Sequence, residues 1–128
     1  MRVFGIDPGS ERTGYGCVES DGTRHRVVAC GAIATPAGAS FPDKLLIIHR
    51  SLTALLAECE PAVVAIENLF YATNVRSALR LGHARGVAVL AAVQARVARA
   101  GDRSPAVAHL VHEDDVVELV HRLEAHDE

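Results

Sequence analysis

The sequence predicts an α/β fold: a mixed sheet, made of an antiparallel three-strand meander plus a parallel strand, flanked by helices. Three observations carry this. Short apolar runs separated by turn residues occupy residues 2–33. Apolar residues recur at helical spacing over about 43–58 and 74–99. Between them lies one continuous apolar run, "AVVAIE", of the kind that forms a strand buried on both faces.

Each element has its own signal. Residues 2–7 form the first strand, with Val3, Phe4 and Ile6 apolar and Pro8-Gly9 ending the run. "TGYGCVE", 13–19, is the second, and "DG" at 21–22 is a hairpin turn signal. "RHRVVACGAI", 24–33, is the third, and "TPAGASFPD" is a loop. The first helix carries Leu45, Ile48, Leu52, Leu55 and Leu56 at helical spacing. "AVVAIE", 62–67, is the parallel strand. The long helix has Leu79, Val87, Leu90, Val93 and Val97 on one side, and "AGDRSP" breaks it. Val116, Leu119, Val120 and Leu123 predict a last helix at 113–125.

A chain of 128 residues, 49% hydrophobic and 23% charged, reads as one globular domain. No apolar run is long enough to cross a membrane, and the N-terminus enters a strand without a signal peptide. Cys17, Cys30 and Cys59 are widely spaced and lack metal-binding spacing, as expected of reduced thiols in a cytoplasmic protein. The net charge of −3 is uneven: residues 109–128 hold seven acids against one base, Arg122, so residues 1–108 carry +3. A mildly basic body permits a polyanionic partner without requiring one.

"VFGID" and "VVAIE" both end an apolar strand in a carboxylate. If these strands are parallel neighbours, Asp7 and Glu67 lie side by side at their carboxyl ends, where open α/β sheets bind ligands. Like charges so placed repel, and a divalent cation relieves the repulsion; Mg²⁺ suits a hard-oxygen site. A single acid at a strand end is ordinarily a turn or cap residue. Asp-Pro-Gly-Ser equally fits a phosphate-cradling loop, as in sugar kinases and actin-like ATPases. Past Glu67, Phe70 stands with Tyr71 and Asn74 where it could stack on an unpaired base or tuck into the core. Arg76, Arg80 and His83 share one helix face, which meets either phosphates or solvent. Gly82, Ala84, Gly86 and Ala88 allow close helix, subunit or sheet packing.

"MRVFGIDPGSERTGYGCVE", "CGAIATP" and "AIENLFYATNVRSALRLGHARGVAVLAAV" closely resemble RuvC, the bacterial Holliday-junction resolvase family, over residues 1 to about 98. The resemblance implies a ribonuclease-H-like fold, a homodimer, and Mg²⁺-dependent nicking of opposed strands of four-way junction DNA, in recombination and repair. It implies a partnership with the RuvA–RuvB branch-migration complex. It implies a four-carboxylate site with two ions, whose first and second acids match Asp7 and Glu67, and a junction-contacting aromatic that matches Phe70. Asn74, Arg76 and Arg80 complete the expected DNA-binding set. The competing readings are a ribonuclease-H-like RNA-processing nuclease and a catalytically inactive junction-binding remnant.

Residues 99–128 depart from the family pattern as a divergent acidic tail. The family's third and fourth carboxylates come from a final helix with an Asp-Ala-Ala-Asp-like motif, and nothing here matches it. Asp114, Asp115 and Asp127 are ordinary helix and terminal acids rather than replacements. His109, His112, His121 and His126 lack a complete zinc spacing. The expectation is a C-terminally incomplete resolvase, impaired in cleavage, with one ion if only Asp7 and Glu67 are available.

Overall fold

The computed structural model describes residues 1–68, 74–98 and 106–110. The elements are β1 (Arg2–Asp7), β2 (Arg12–Ser20), β3 (His25–Ala34), α1 (Phe41–Cys59), β4 (Val63–Glu67), α2 (Val75–Ala98) and β5 (Ala106–Leu110). They form one five-stranded sheet in the order β3-β2-β1-β4-β5. β1, β2 and β3 pair antiparallel as the expected meander, and β4 joins β1 in parallel. β5 pairs parallel to β4, with Ile66 opposite His109. This fifth strand was not expected from the sequence, because its five residues border the acidic stretch and contain one charge-bearing candidate, His109, in an otherwise short apolar run. The expected helix at 113–125 lies outside the described residues.

Local chemistry explains the element ends. Asp21 closes the β2–β3 hairpin: its Oδ1 accepts from the Thr23 and Arg24 amides at 2.9 and 2.7 Å, and these bonds hold its carboxyl below the usual range. Gly22 takes the positive φ, 94°, that the turn requires. Ser40 caps α1, its Oγ accepting from the Asp43 amide at 3.2 Å, with Pro42 in the first turn. Glu60 ends the helix in the left-handed region, and its amide donates to the Leu56 carbonyl at 3.0 Å.

The core gathers Phe4 and Ile6 of β1, Val64 and Ile66 of β4, Ile48, Leu52 and Leu56 of α1, and Ala88, Ala91 and Ala92 of α2. Cys17 is fully buried there, and burial pushes its thiol up to about 12. Val63, Val64, Ala65 and Ile66 are all buried, so β4 is covered on both faces as its sequence implied. α2 meets this core through Ala88, Ala91 and Ala92, with Val87, Val89 and Ala95 partly buried against it. The side bearing Leu79 and Leu90 faces outward, at 62% and 50% exposure. Large side chains from α1 and the sheet already fill the space, which leaves alanine-sized room for α2. Gly82 and Gly86 are exposed, whereas Ala84 and Ala88 are buried.

Two glycines are fixed by packing. A Cβ on Gly9 would stand 2.3 Å from the Arg12 carbonyl oxygen, and one on Gly31 would stand 2.8 Å from the Tyr15 hydroxyl. A Cβ on Gly16 would meet nothing within 4 Å. Gly9→Ala should therefore cost about 1–3 kcal/mol in urea unfolding, whereas Gly16→Ala should be neutral or stabilising by up to about 1 kcal/mol. Equal unfolding midpoints for the two variants would contradict this assignment.

Candidate functional site

β1 and β4 run parallel in a register that ends with Ile6 beside Ile66, so Asp7 and Glu67 are each the next residue on neighbouring strands. Ile6 and Ile66 point into the core under the helices, and the pleat therefore directs Asp7 and Glu67 to the opposite face. Both are exposed. Among the described residues Asp7 makes no hydrogen bond or ion pair. The Glu67 carbonyl accepts from Arg85 Nε at 3.3 Å, which ties the end of β4 to α2.

Across the hairpin, Asp7 pairs with Gly14 and Gly5 pairs with Gly16. A Cβ on Gly14 would lie 3.5 Å from Asp7 Cβ and 3.9 Å from Oδ2, an ordinary contact. The protein's own packing thus demands glycine at neither Gly14 nor Gly16. Beside Asp7, among the described residues, Gly14 and Gly16 present backbone without side chains.

The turn after Asp7 is braced from three sides. Thr13 Oγ1 donates to the Gly9 carbonyl at 2.7 Å and accepts from the Gly9 amide at 3.3 Å. Thr35 Oγ1, at the end of β3, donates to the Ser10 carbonyl at 2.8 Å. Lys44, the single lysine of the chain, reaches from α1 to both Glu11 carboxylate oxygens at 2.7 and 2.9 Å.

Two exposed carboxylates at neighbouring strand ends offer hard oxygen ligands to a divalent cation. Among the described residues no group of three or more His, Cys, Asp or Glu side chains comes together, so Asp7 and Glu67 form a two-carboxylate set. Asp114, Asp115 and Asp127 lie outside the described residues, as does Phe70. The other expected residues lie along α2. Asn74 is its N-cap, its Oδ1 accepting from the Ser77 amide at 2.9 Å. Arg76 is exposed, without a hydrogen bond or ion pair among the described residues. Arg80 stands over the Phe41 ring, its Cζ 5.2 Å from the centroid, and His83 meets the same ring edge-on at 5.6 Å.

Sequence reasoning missed Gly14, Arg85 and Phe41. Alternation along "TGYG" could have set Gly14 opposite Asp7 once the hairpin was assumed. The contacts of Arg85 and Phe41 join distant elements and have no local signal.

The family profile described as "Crossover junction endodeoxyribonuclease RuvC" matches residues 3–111. Crossover junction endodeoxyribonuclease RuvC of Pelobacter propionicus is 54% identical over 95 residues, covering 74% of this chain and 54% of that protein. Its counterpart in Trichlorobacter lovleyi is 50% identical over 95 residues, 74% of this chain and 53% of that protein. A structure described as T. thermophilus RuvC in complex with Holliday junction substrate superposes with a TM-score of 0.69 at 28% identity, covering 73% of this chain and 58% of that one. The chain spans about half the length of the curated relatives it matches. The strand-end acids, the mixed sheet and these matches agree, and the chain belongs to the RuvC family of crossover junction endodeoxyribonucleases.

Proposed function

We propose that this chain is a structure-specific endonuclease subunit that acts on four-way DNA junctions, with Asp7 and Glu67 as its catalytic, metal-binding carboxylates. The observation that supports this reading is the parallel β1–β4 register, which ends at Ile6 beside Ile66 and makes Asp7 and Glu67 the next residues at the carboxyl ends of both strands in a RuvC-family chain. The donor set fits a divalent cation, taken as Mg²⁺: two carboxylates, one without a protein partner among the described residues, beside bare backbone. When bound, such an ion neutralises phosphate charge and lowers the pKa of a coordinated water.

The chain's own residues do the rest. Asp7 and Glu67 hold negative charge at a fixed spacing set by the β1–β4 ladder. The bare Gly14 and Gly16 positions admit a sugar–phosphate backbone against the sheet. Arg76 and Arg80 meet phosphates and fix the register of the DNA without reading its bases. Asn74 orients the start of α2, and Phe70 stacks on a base at the junction centre. The family match argues against the RNA-processing alternative. No described helix is long and apolar enough to cross a membrane.

The partner copy of a homodimer fits the outward side of α2. Val75, Leu79 and Leu90 are 77%, 62% and 50% exposed and share one stripe with Gly82 and Gly86, where an added Cβ would meet nothing within 4 Å. Exposed apolar side chains of this size on one helix face mark an interaction surface. Bare glycines let a second helix approach closely, and a two-fold axis would set the same stripe against itself.

Two outcomes follow. On a synthetic four-way junction with Mg²⁺, Asp7→Asn and Glu67→Gln should each slow nicking by about 10²–10³-fold while junction binding persists. Undiminished nicking by Asp7→Asn would overturn the catalytic assignment; junction binding without nicking by the unaltered chain would favour the inactive, binding-only reading. In sedimentation velocity the unaltered chain should run as a dimer at micromolar concentration and Leu79→Glu as a monomer. A monomeric unaltered chain would contradict the α2 interface.

A further inference from the structure

We propose that Phe41 is a positioning residue that holds the Arg80 guanidinium ready for a nucleic-acid phosphate; this rests on the DNA reading above and deepens it. Phe41 opens α1, and its place is fixed from two directions. Ser40 and Pro42 set the first turn of the helix. Lys44, within the same turn, is tied to Glu11 in the loop that follows Asp7. The Phe41 ring is thereby anchored to the same end of the sheet as the two carboxylates. From α2, Arg80 lies over that ring at 5.2 Å, and His83 packs against it at an interplanar angle of 79°.

Arg80 makes no hydrogen bond or ion pair among the described residues. Its guanidinium is held by a ring face, which uses none of its N–H donors. A free arginine side chain is rich in rotamer entropy, and part of that is lost before any phosphate arrives. A cation fixed in place with its donors unspent is preorganised for an anion. Arg76, one turn earlier on α2, has no ring contact among the described residues and serves as an internal contrast.

The test measures binding of a fluorescent synthetic four-way junction across a salt series. Arg80→Ala should weaken binding and lower the salt slope by about one. Phe41→Leu should weaken binding about two- to fivefold, whereas Phe41→Tyr, which keeps the ring, should bind as the unaltered protein does. In an Arg80→Ala background, Phe41→Leu should add no further loss, which separates positioning from a general effect on folding. Full affinity in Phe41→Leu, or the same loss with and without Arg80, would overturn the proposal while leaving the DNA reading intact. Unchanged affinity and salt slope in Arg80→Ala would overturn the role of Arg80 itself. Absence of junction binding by the unaltered protein would overturn both.

Discussion

The parallel pairing of β1 with β4 is the constraint on which the site depends. Its register is set by apolar residues: Val3 opposite Val63, Phe4 opposite Val64, Ile6 opposite Ile66. A slip of one residue would turn Phe4 and Ile6 out of the core, so burial fixes the register strongly. The next residue on each strand then has no choice of neighbour. The packing behind them thereby sets Asp7 and Glu67 at neighbouring strand ends.

The surrounding chain keeps that end of the sheet rigid. The turn from β1 to β2 passes directly beside Asp7, and it is held by Thr13, Thr35 and the Lys44–Glu11 ion pair. Lys44 is almost fully buried while Glu11 is largely exposed, so the pair is partly screened and its chief effect is positional. Removing Glu11 alone would leave a buried ammonium without its partner, the costly half of such an interaction. The same pair fixes the start of α1, and through Phe41 the start of α1 touches α2. One mechanical path therefore joins the carboxylates to the cationic helix face. At the far end of the sheet, Arg2 bonds to Glu19 at 2.9 Å and holds its carboxyl below the usual range, a peripheral tie with no bearing on the site.

Much of this was legible in the sequence because it is local. Strand and helix limits follow apolar runs and punctuating residues, and β1, β2, β3, α1, β4 and α2 begin and end within two residues of where those signals stand. The paired acids were legible because both strands read as buried on both faces, which implies parallel neighbours. β5 has a weak signal because "AVAHL" is short and runs directly into an acidic stretch. The outward turn of Leu79 and Leu90 was hidden because α2 has apolar residues on two sides, and only the volume left by Ile48, Leu52, Leu56 and Phe4 decides which side fits. Phe41 against Arg80 could not be read at all, since nothing in either segment encodes the other.

The central claim is that Asp7 and Glu67 act as one cation site. Calorimetric titration with Mn²⁺ tests it without DNA or turnover. The unaltered chain should bind the ion weakly, and binding should be lost in Asp7→Asn and, separately, in Glu67→Gln, since neither carboxylate holds the ion alone. Mn²⁺ binding that survives unchanged in the double variant Asp7→Asn plus Glu67→Gln would show that the two strand ends do not form the site.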